Sequence, residues 1–273
     1  MSNPEFQFNF KFKLHKSNIP IGLADDDYAR LSVAYGVPLA EMMAEVDADA
    51  ASNAAEAALL LKTHPDAPEA LRGVRLAFMG DSITSDRRSY LNIIRAALGD
   101  SAEILDDSIS AYKINDIITN YVPGLTGFGA NIAHLMIGSN DMKRTTDGRD
   151  YILTEPDEFR RELRYFLEAL TARGTRLIVS TLPPFDAPKS KAKFWNVNVR
   201  YREADRAAYN AVIREEVERA GCTLNDMEPV YAAYTTDALT RDDGLHLNEL
   251  GQRLMAEAVL GKMLALAQIL HGD

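Results

Sequence analysis

The sequence is nearly without cysteine. Cys222 is the single one in 273 residues, so no internal disulfide can staple the fold and no cysteine cluster can hold a metal. Its expected place is that of a small buried apolar side chain. Basic charge is in deficit: 30 Lys and Arg stand against 40 Asp and Glu, a formal net charge of −10. A surface of that sign repels phosphate backbones and anionic lipid, which argues against nucleic acid and against stable membrane association. Met1 to Leu14 mix apolar and polar residues, so a continuous secretory signal is missing there. No stretch reads as a transmembrane span. Repeats and low-complexity tracts are also lacking. These absences lead us to expect a soluble, cytoplasmic globular protein.

What is there falls into two parts. In the first, Phe6, Phe8, Phe10 and Phe12 alternate with polar residues, and that period of two predicts a strand. Asp25-Asp26-Asp27 opens a helical stretch from about Tyr28. Pro38 opens a longer one to about Lys62, because proline suits a first helical turn. Leu39, Met42, Met43 and Val46 share one face of it, expected to be a core or oligomer face. His64 to Pro68 reads as a linker. Residues 1–70 thus form an accessory segment, a strand plus helices, with about six more acids than bases. It could serve as a lid, as cover for a sheet edge, or as a homo-oligomer interface. Tyr35-Gly36-Val37-Pro38 between helices does not suit DNA, since no basic recognition face accompanies it.

From Val74 onward, apolar strand-like runs alternate with helical ones. Strands are expected at Val74–Met79, Glu103–Leu105, Asn131–Ile137, Arg176–Thr181 and near Thr223. Helices are expected at Ser89–Leu98, Ile114–Tyr121, Asp157–Arg173, Tyr201–Ala220 and from about Asn248. Such alternation implies an α/β fold with a parallel sheet covered on both faces, over residues 71–273. Functional loops in such sheets gather at the carboxyl ends of the strands.

Three segments fall at that edge. Gly80-Asp81-Ser82-Ile83-Thr84 follows the first strand. Gly138-Ser139-Asn140-Asp141 follows the third. Asp243-Gly244-Leu245-His246 precedes the final helix. A serine hydroxyl needs a base to take its proton, and His246 has the right pKa range for that. A carboxylate must orient the imidazole, and Asp243 lies three residues before it, with Asp242 a neighbour that spacing alone does not exclude. Donors must face an oxyanion; the Ser82 N–H, at a helix start, and the Asn140 amide are suited to this. Each segment alone is a weak signal; together, in this order, they are hard to obtain by chance.

These three segments resemble those of the SGNH hydrolases, also called GDSL esterases and lipases, over about residues 70–265. The resemblance implies a flavodoxin-like three-layer α/β/α sandwich and hydrolysis of esters or thioesters without a metal or other cofactor. It implies that Ser82 is the nucleophile, His246 the base, Asp243 the orienting acid and Asn140 an oxyanion-hole residue. One departure stands out. The family has a glycine after the second strand whose N–H completes the oxyanion hole. Here Ala111 stands at that place, with Ser108 as a rival alignment.

The substrate expected is a small-molecule ester, with a short acyl group such as acetyl on a polar or carbohydrate alcohol. Acyl transfer to another alcohol, thioesterase or lysophospholipase action, and an inert binding module on the same fold stay open. Arg87 and Arg88 follow the nucleophile segment, Lys143 and Arg144 follow Asn140-Asp141, and residues 187–202 hold five cations and no acid. These suggest a locally positive pocket for an anionic or hydroxylated substrate, or else solvated loops paired with nearby acids. Trp195, beside Phe194, and Tyr112 are further candidates for its wall.

Overall fold

The protein is described by a computed structural model over residues 4–18, 23–120 and 127–272. Five parallel strands build the sheet: β1 (Arg75–Gly80), β2 (Glu103–Ser108), β3 (Ile132–Met136), β4 (Arg176–Ser180) and β5 (Thr223–Asn225), in the order β2-β1-β3-β4-β5. In β1 every residue after Arg75 is buried, and all of β3 is. Such runs, apolar apart from His134, suit strands covered on both faces. The edge strand β2 instead carries Asp106 and Asp107 and is only half-buried.

Two groups of helices sandwich the sheet. Leu39–Thr63, Tyr90–Leu98 and Glu249–Gly272 pack together, as do Ile114–Asn120, Pro156–Thr171 and Glu203–Arg219. The predicted end of one helix, Tyr121, lies outside the described residues. This is the α/β sandwich expected from the alternation of strands and helices. The helix Glu249–Gly272 corrects one expectation: it is long and apolar enough to cross a membrane by length and composition. Its Met255, Val259, Leu260 and Met263 are nevertheless fully buried in the core of this fold.

The N-terminal strand is also corrected. Pro4–Lys11 is a helix. Phenylalanines at every second position satisfy a period of two, but the pairs Phe6/Phe10 and Phe8/Phe12 are also four apart, one helical turn. Phe6 stacks on Phe10 at 5.4 Å between ring centroids, and both bury against Leu31 and Met42 in a small second core. Phe8 and Phe12 point elsewhere, 4.9 Å apart.

The long helix does begin after Pro38, at Leu39, and runs to Thr63. Its buried face, however, is Met42, Asp49, Asn53, Ala57 and Leu60, while Leu39 is exposed. Two polar residues take core positions because polar partners lie opposite: Arg88 Nε bonds Asp49 at 2.6 Å, and Asn53 Nδ2 donates to the Arg87 carbonyl at 2.8 Å.

Candidate active site

β1 ends at Gly80, where a Cβ would stand 2.6 Å from the Met136 carbonyl oxygen; only glycine lets the strands close there. Asp81 then caps a single helical turn, Ser82–Ser85, its carboxylate accepting from Ile83 N at 3.0 Å. The cap turns the chain so that Ser82 opens the turn at the carboxyl edge of the sheet.

His246 reaches Ser82 from a loop 164 residues later. Its Nε2 lies 2.8 Å from Ser82 Oγ, and its Nδ1 lies 2.7 Å from Asp243 Oδ2. The other oxygen of Asp243 accepts the N–H groups of Leu245 and His246, both at 2.9 Å. Burial alone would raise the pKa of this carboxyl; the bonds from His246 and the two backbone N–H groups outweigh it and bring it down to about 2. Asp243 is therefore ionised at neutral pH and can hold a cationic imidazole. Asp242 is exposed and makes no such bond. The loop is gripped from outside: Asp186 N donates to the Gly244 carbonyl at 2.6 Å, and Gly244 has φ +66°.

Asn140 is half of a second pair. Its Nδ2 donates to the Tyr112 carbonyl at 2.9 Å, which fixes the amide and leaves its second hydrogen for the site. Asp141, buried beside it, accepts from Ile114 N at the start of the helix Ile114–Asn120; burial pushes its carboxyl up to about 7. Ala111 sits in the left-handed region, φ +68°, a conformation that glycine adopts without strain. It lines the same cavity as Ser82, Asn140 and His246, and its N–H makes no hydrogen bond among the described residues. The Ser108 N–H is taken by Asp106 at 3.1 Å, and Ser108 does not line the cavity. Geometry thus favours Ala111 over Ser108.

The sequence around these residues carries a family signature: the profile of the GDSL-like lipase/acylhydrolase family matches residues 78–254. The chain belongs to this family. Solved structures with the same fold include the acetyl xylan esterase AlAXEase, with TM-score 0.56, 20% identity, and cover of 69% of this chain and 99% of that one. A lipase/acylhydrolase from Enterococcus faecalis gives 0.58 at 16% identity, over 70% and 96%. LAE5, an α/β hydrolase enzyme from the metagenome of Lake Arreo, Spain, gives 0.54 at 20%, over 72% and 96%. No curated protein matches the chain.

The expected substrate-binding residues fare unevenly in this GDSL-family site. Lys143 lines the cavity. Arg87 does not: its Nε donates to the Phe10 carbonyl at 3.1 Å and its guanidinium lies 3.8 Å from the Phe10 ring centroid. Arg88 is bound to Asp49 and approaches Glu249. Arg144 makes a two-pronged pair with Asp205, at 2.7 and 2.9 Å. Lys189 pairs with Asp237, and Arg200 and Arg202 pair with Asp150. These cations belong to the scaffold, as charges in loops generally do. Tyr112 acts through its carbonyl on Asn140, and its side chain is not in the cavity wall. Trp195 is 82% exposed and lies outside it as well.

The walls are instead apolar and come from two places the motifs do not mark. The cavity, of about 190 Å³, is bounded by Phe8, Phe12 and Leu14 on one side and by Phe194, Val197 and Val199 on another. The even-spaced phenylalanines were the available signal for the first group.

Proposed function

We propose that this family member is a serine esterase working through an acyl-enzyme. The observation that carries the reading is the continuous chain Ser82 Oγ, His246 Nε2, His246 Nδ1, Asp243 Oδ2, with links of 2.8 and 2.7 Å. Ser82 attacks the ester carbonyl carbon as His246 Nε2 takes the hydroxyl proton. The oxyanion meets the N–H of Ser82, the N–H of Ala111 and the free hydrogen of the Asn140 amide. Collapse breaks the bond to the alcohol, which leaves with the proton from His246. Water then gives a proton to His246 and attacks the acyl-Ser82 carbonyl; collapse breaks the bond to Ser82 Oγ, which takes that proton back from His246 as the acid leaves. Asp243 stays ionised throughout and holds the imidazolium.

The finer reading is a short acyl group on a small alcohol. One structural neighbour is, by its name, an acetyl xylan esterase, which supports an acetyl-sized acyl group. A sugar alcohol is less well supported, because the walls are mainly phenylalanine and valine and hold few partners for hydroxyl groups. The test is hydrolysis of 4-nitrophenyl acetate, butyrate and octanoate by wild type and Ser82→Ala. The expected result is a loss on the order of 10⁴-fold or more in the variant. Equal rates in both proteins would end the proposal.

A second reading concerns substrate charge, and Lys143 favours it. Among the described residues it has no acid within ion-pair distance, unlike the neighbouring arginines, and no Asp or Glu shares the cavity wall. Burial pushes its pKa down, and only the more distant Asp81 and Asp141 oppose this. An ester bearing a carboxylate would supply the missing counter-charge. Lys143→Met should reduce kcat/KM for 4-nitrophenyl hydrogen succinate at least about tenfold more than for the acetate; an equal effect on both rejects this reading.

A further inference from the structure

Phe8, Phe12 and Leu14 lie about seventy residues before the segment that the family profile covers, yet they share the cavity wall with Ser82 and His246. We propose that this N-terminal segment is a working wall of the site, and that Phe8 and Phe12 determine the size of the apolar group the enzyme accepts. The inference rests on the esterase reading above and extends it to residues outside the family's hydrolytic unit.

Two kinds of contact support it. The first is with the base. The Phe12 ring lies 4.1 Å from the His246 ring centroid to centroid, at 30° between planes, and the Phe8 ring approaches the same imidazole edge-on at 6.4 Å. One face of His246 is thus covered by a side chain that the nucleophile, Asn140 and histidine motifs do not encode. Between them the two rings occupy space where a longer chain on the ester would otherwise lie.

The second is the fastening. The Phe12 carbonyl accepts from Ser110 Oγ, and from Ser85 Oγ at 3.4 Å. The Lys11 carbonyl accepts from Arg87 N at 3.0 Å. Lys13, 5% exposed, places its ammonium 2.5 Å from Asp106 and 3.2 Å from Asp25. Lys16 donates to the Ser108 carbonyl at 3.1 Å. Every one of these anchors except Asp25 is on the segments after β1 and at the end of β2, which carry Ser82 and Ala111. The wall is therefore indexed to the nucleophile and the oxyanion donor themselves. Residues held this way have few alternative positions, and a rigid wall discriminates by size better than a mobile one.

Phe8 is only half-buried, so it can be exchanged without emptying the core. The experiment compares wild type, Phe8→Ala, Phe8→Trp and Phe12→Leu on two series: 4-nitrophenyl esters of acetate, butyrate, hexanoate and octanoate, and acetates of methanol, butanol and benzyl alcohol. Each methylene newly admitted to an apolar wall is worth about fourfold in kcat/KM. Phe8→Ala should raise the long-to-short ratio in at least one series by about tenfold, and Phe8→Trp should lower the same ratio. Phe12→Leu should shift it in the direction of Phe8→Ala and also reduce kcat, since it removes the ring against the imidazole. Ratios within about twofold of wild type in both series, for all three variants, overturn the inference. Ser82→Ala is run alongside. If it abolishes hydrolysis while the ratios stay fixed, this inference alone fails. If hydrolysis survives it, or wild type hydrolyses no ester, the esterase reading fails and this one with it.

Discussion

Replacing Ala111 by glycine should make the protein more stable and leave its chemistry intact. Ala111 holds φ +68°, where the Cβ of an L-residue crowds the following carbonyl at a cost of about 1–2 kcal/mol. Its side chain is exposed, so losing the methyl gives up little buried surface. Glycine adds freedom to the unfolded chain, which offsets about 0.4–1 kcal/mol of the relief. The net gain is about 0.5–1 kcal/mol, or a rise in Tm of about 1–4 °C in a chain of this size. The oxyanion donor proposed above is the backbone N–H, which glycine keeps, so kcat on a 4-nitrophenyl ester should stay within about twofold. Calorimetry and steady-state kinetics on the purified pair read both quantities. A fall in Tm would refute the strained backbone at Ala111. A rise in Tm with a fall in kcat of about tenfold would refute the view that only the N–H matters.

Asp243→Asn keeps an acceptor near the backbone N–H groups but cannot fix the imidazole tautomer, so kcat should fall on the order of 10³–10⁴-fold with the circular dichroism spectrum unchanged; a fall under about tenfold rejects its assigned role. Gly244→Ala would bring a Cβ to 2.7 Å from the Asp186 carbonyl oxygen at a positive φ, so labelling of Ser82 by a fluorophosphonate should slow at least about tenfold, and unchanged labelling would show that the grip on the loop does not matter. His134, on β3, is fully buried between Tyr90 Oη at 3.0 Å and Ser180 Oγ at 2.7 Å, and burial pushes its pKa from 6.5 down to about 3. The unfolded chain therefore binds a proton between those values that the folded one refuses, and stability is lost as pH falls through 6.5. Urea unfolding should give about 2 kcal/mol less stability at pH 5 than at pH 7 from this group, and His134→Gln should remove that increment; an identical drop in both proteins would refute it.

The two central strands were legible because a strand covered on both faces must be apolar throughout, and Leu76 to Met79 and Ile132 to Met136 are so apart from His134. Ser82, Asn140, Asp243 and His246 were legible because strand ends in a parallel sheet converge, whatever the distance in sequence. The N-terminal helix was not, since Phe6 to Phe12 fit a strand and a helix equally and only the packing on Leu31 and Met42 decides. For Arg87, Arg88 and Arg144 a positive pocket and paired loops both stayed open, because a sequence shows charges and not their partners; Asp49 is 39 residues from Arg88, and Asp205 is 61 from Arg144. Trp195 drew notice as an aromatic beside the site, but the turns after Lys193 send Phe194 and Val197 inward and Trp195 to solvent.

The terminal helix also reaches the turn of Ser82. Gln252, wholly buried, donates to the Ile83 carbonyl at 3.1 Å and accepts from Tyr90 N at 2.9 Å. One amide thus spans 169 residues to join the turn that holds Ser82 to the helix that follows His246. During synthesis Ser82 emerges early and His246 late. A ribosome-bound chain that stops between them holds Ser82 without the His246 ring that stands 2.8 Å from it in the fold. On the esterase reading proposed above, hydrolysis then requires both ends of this span, the turn of Ser82 and the segment that carries His246, to be made and joined.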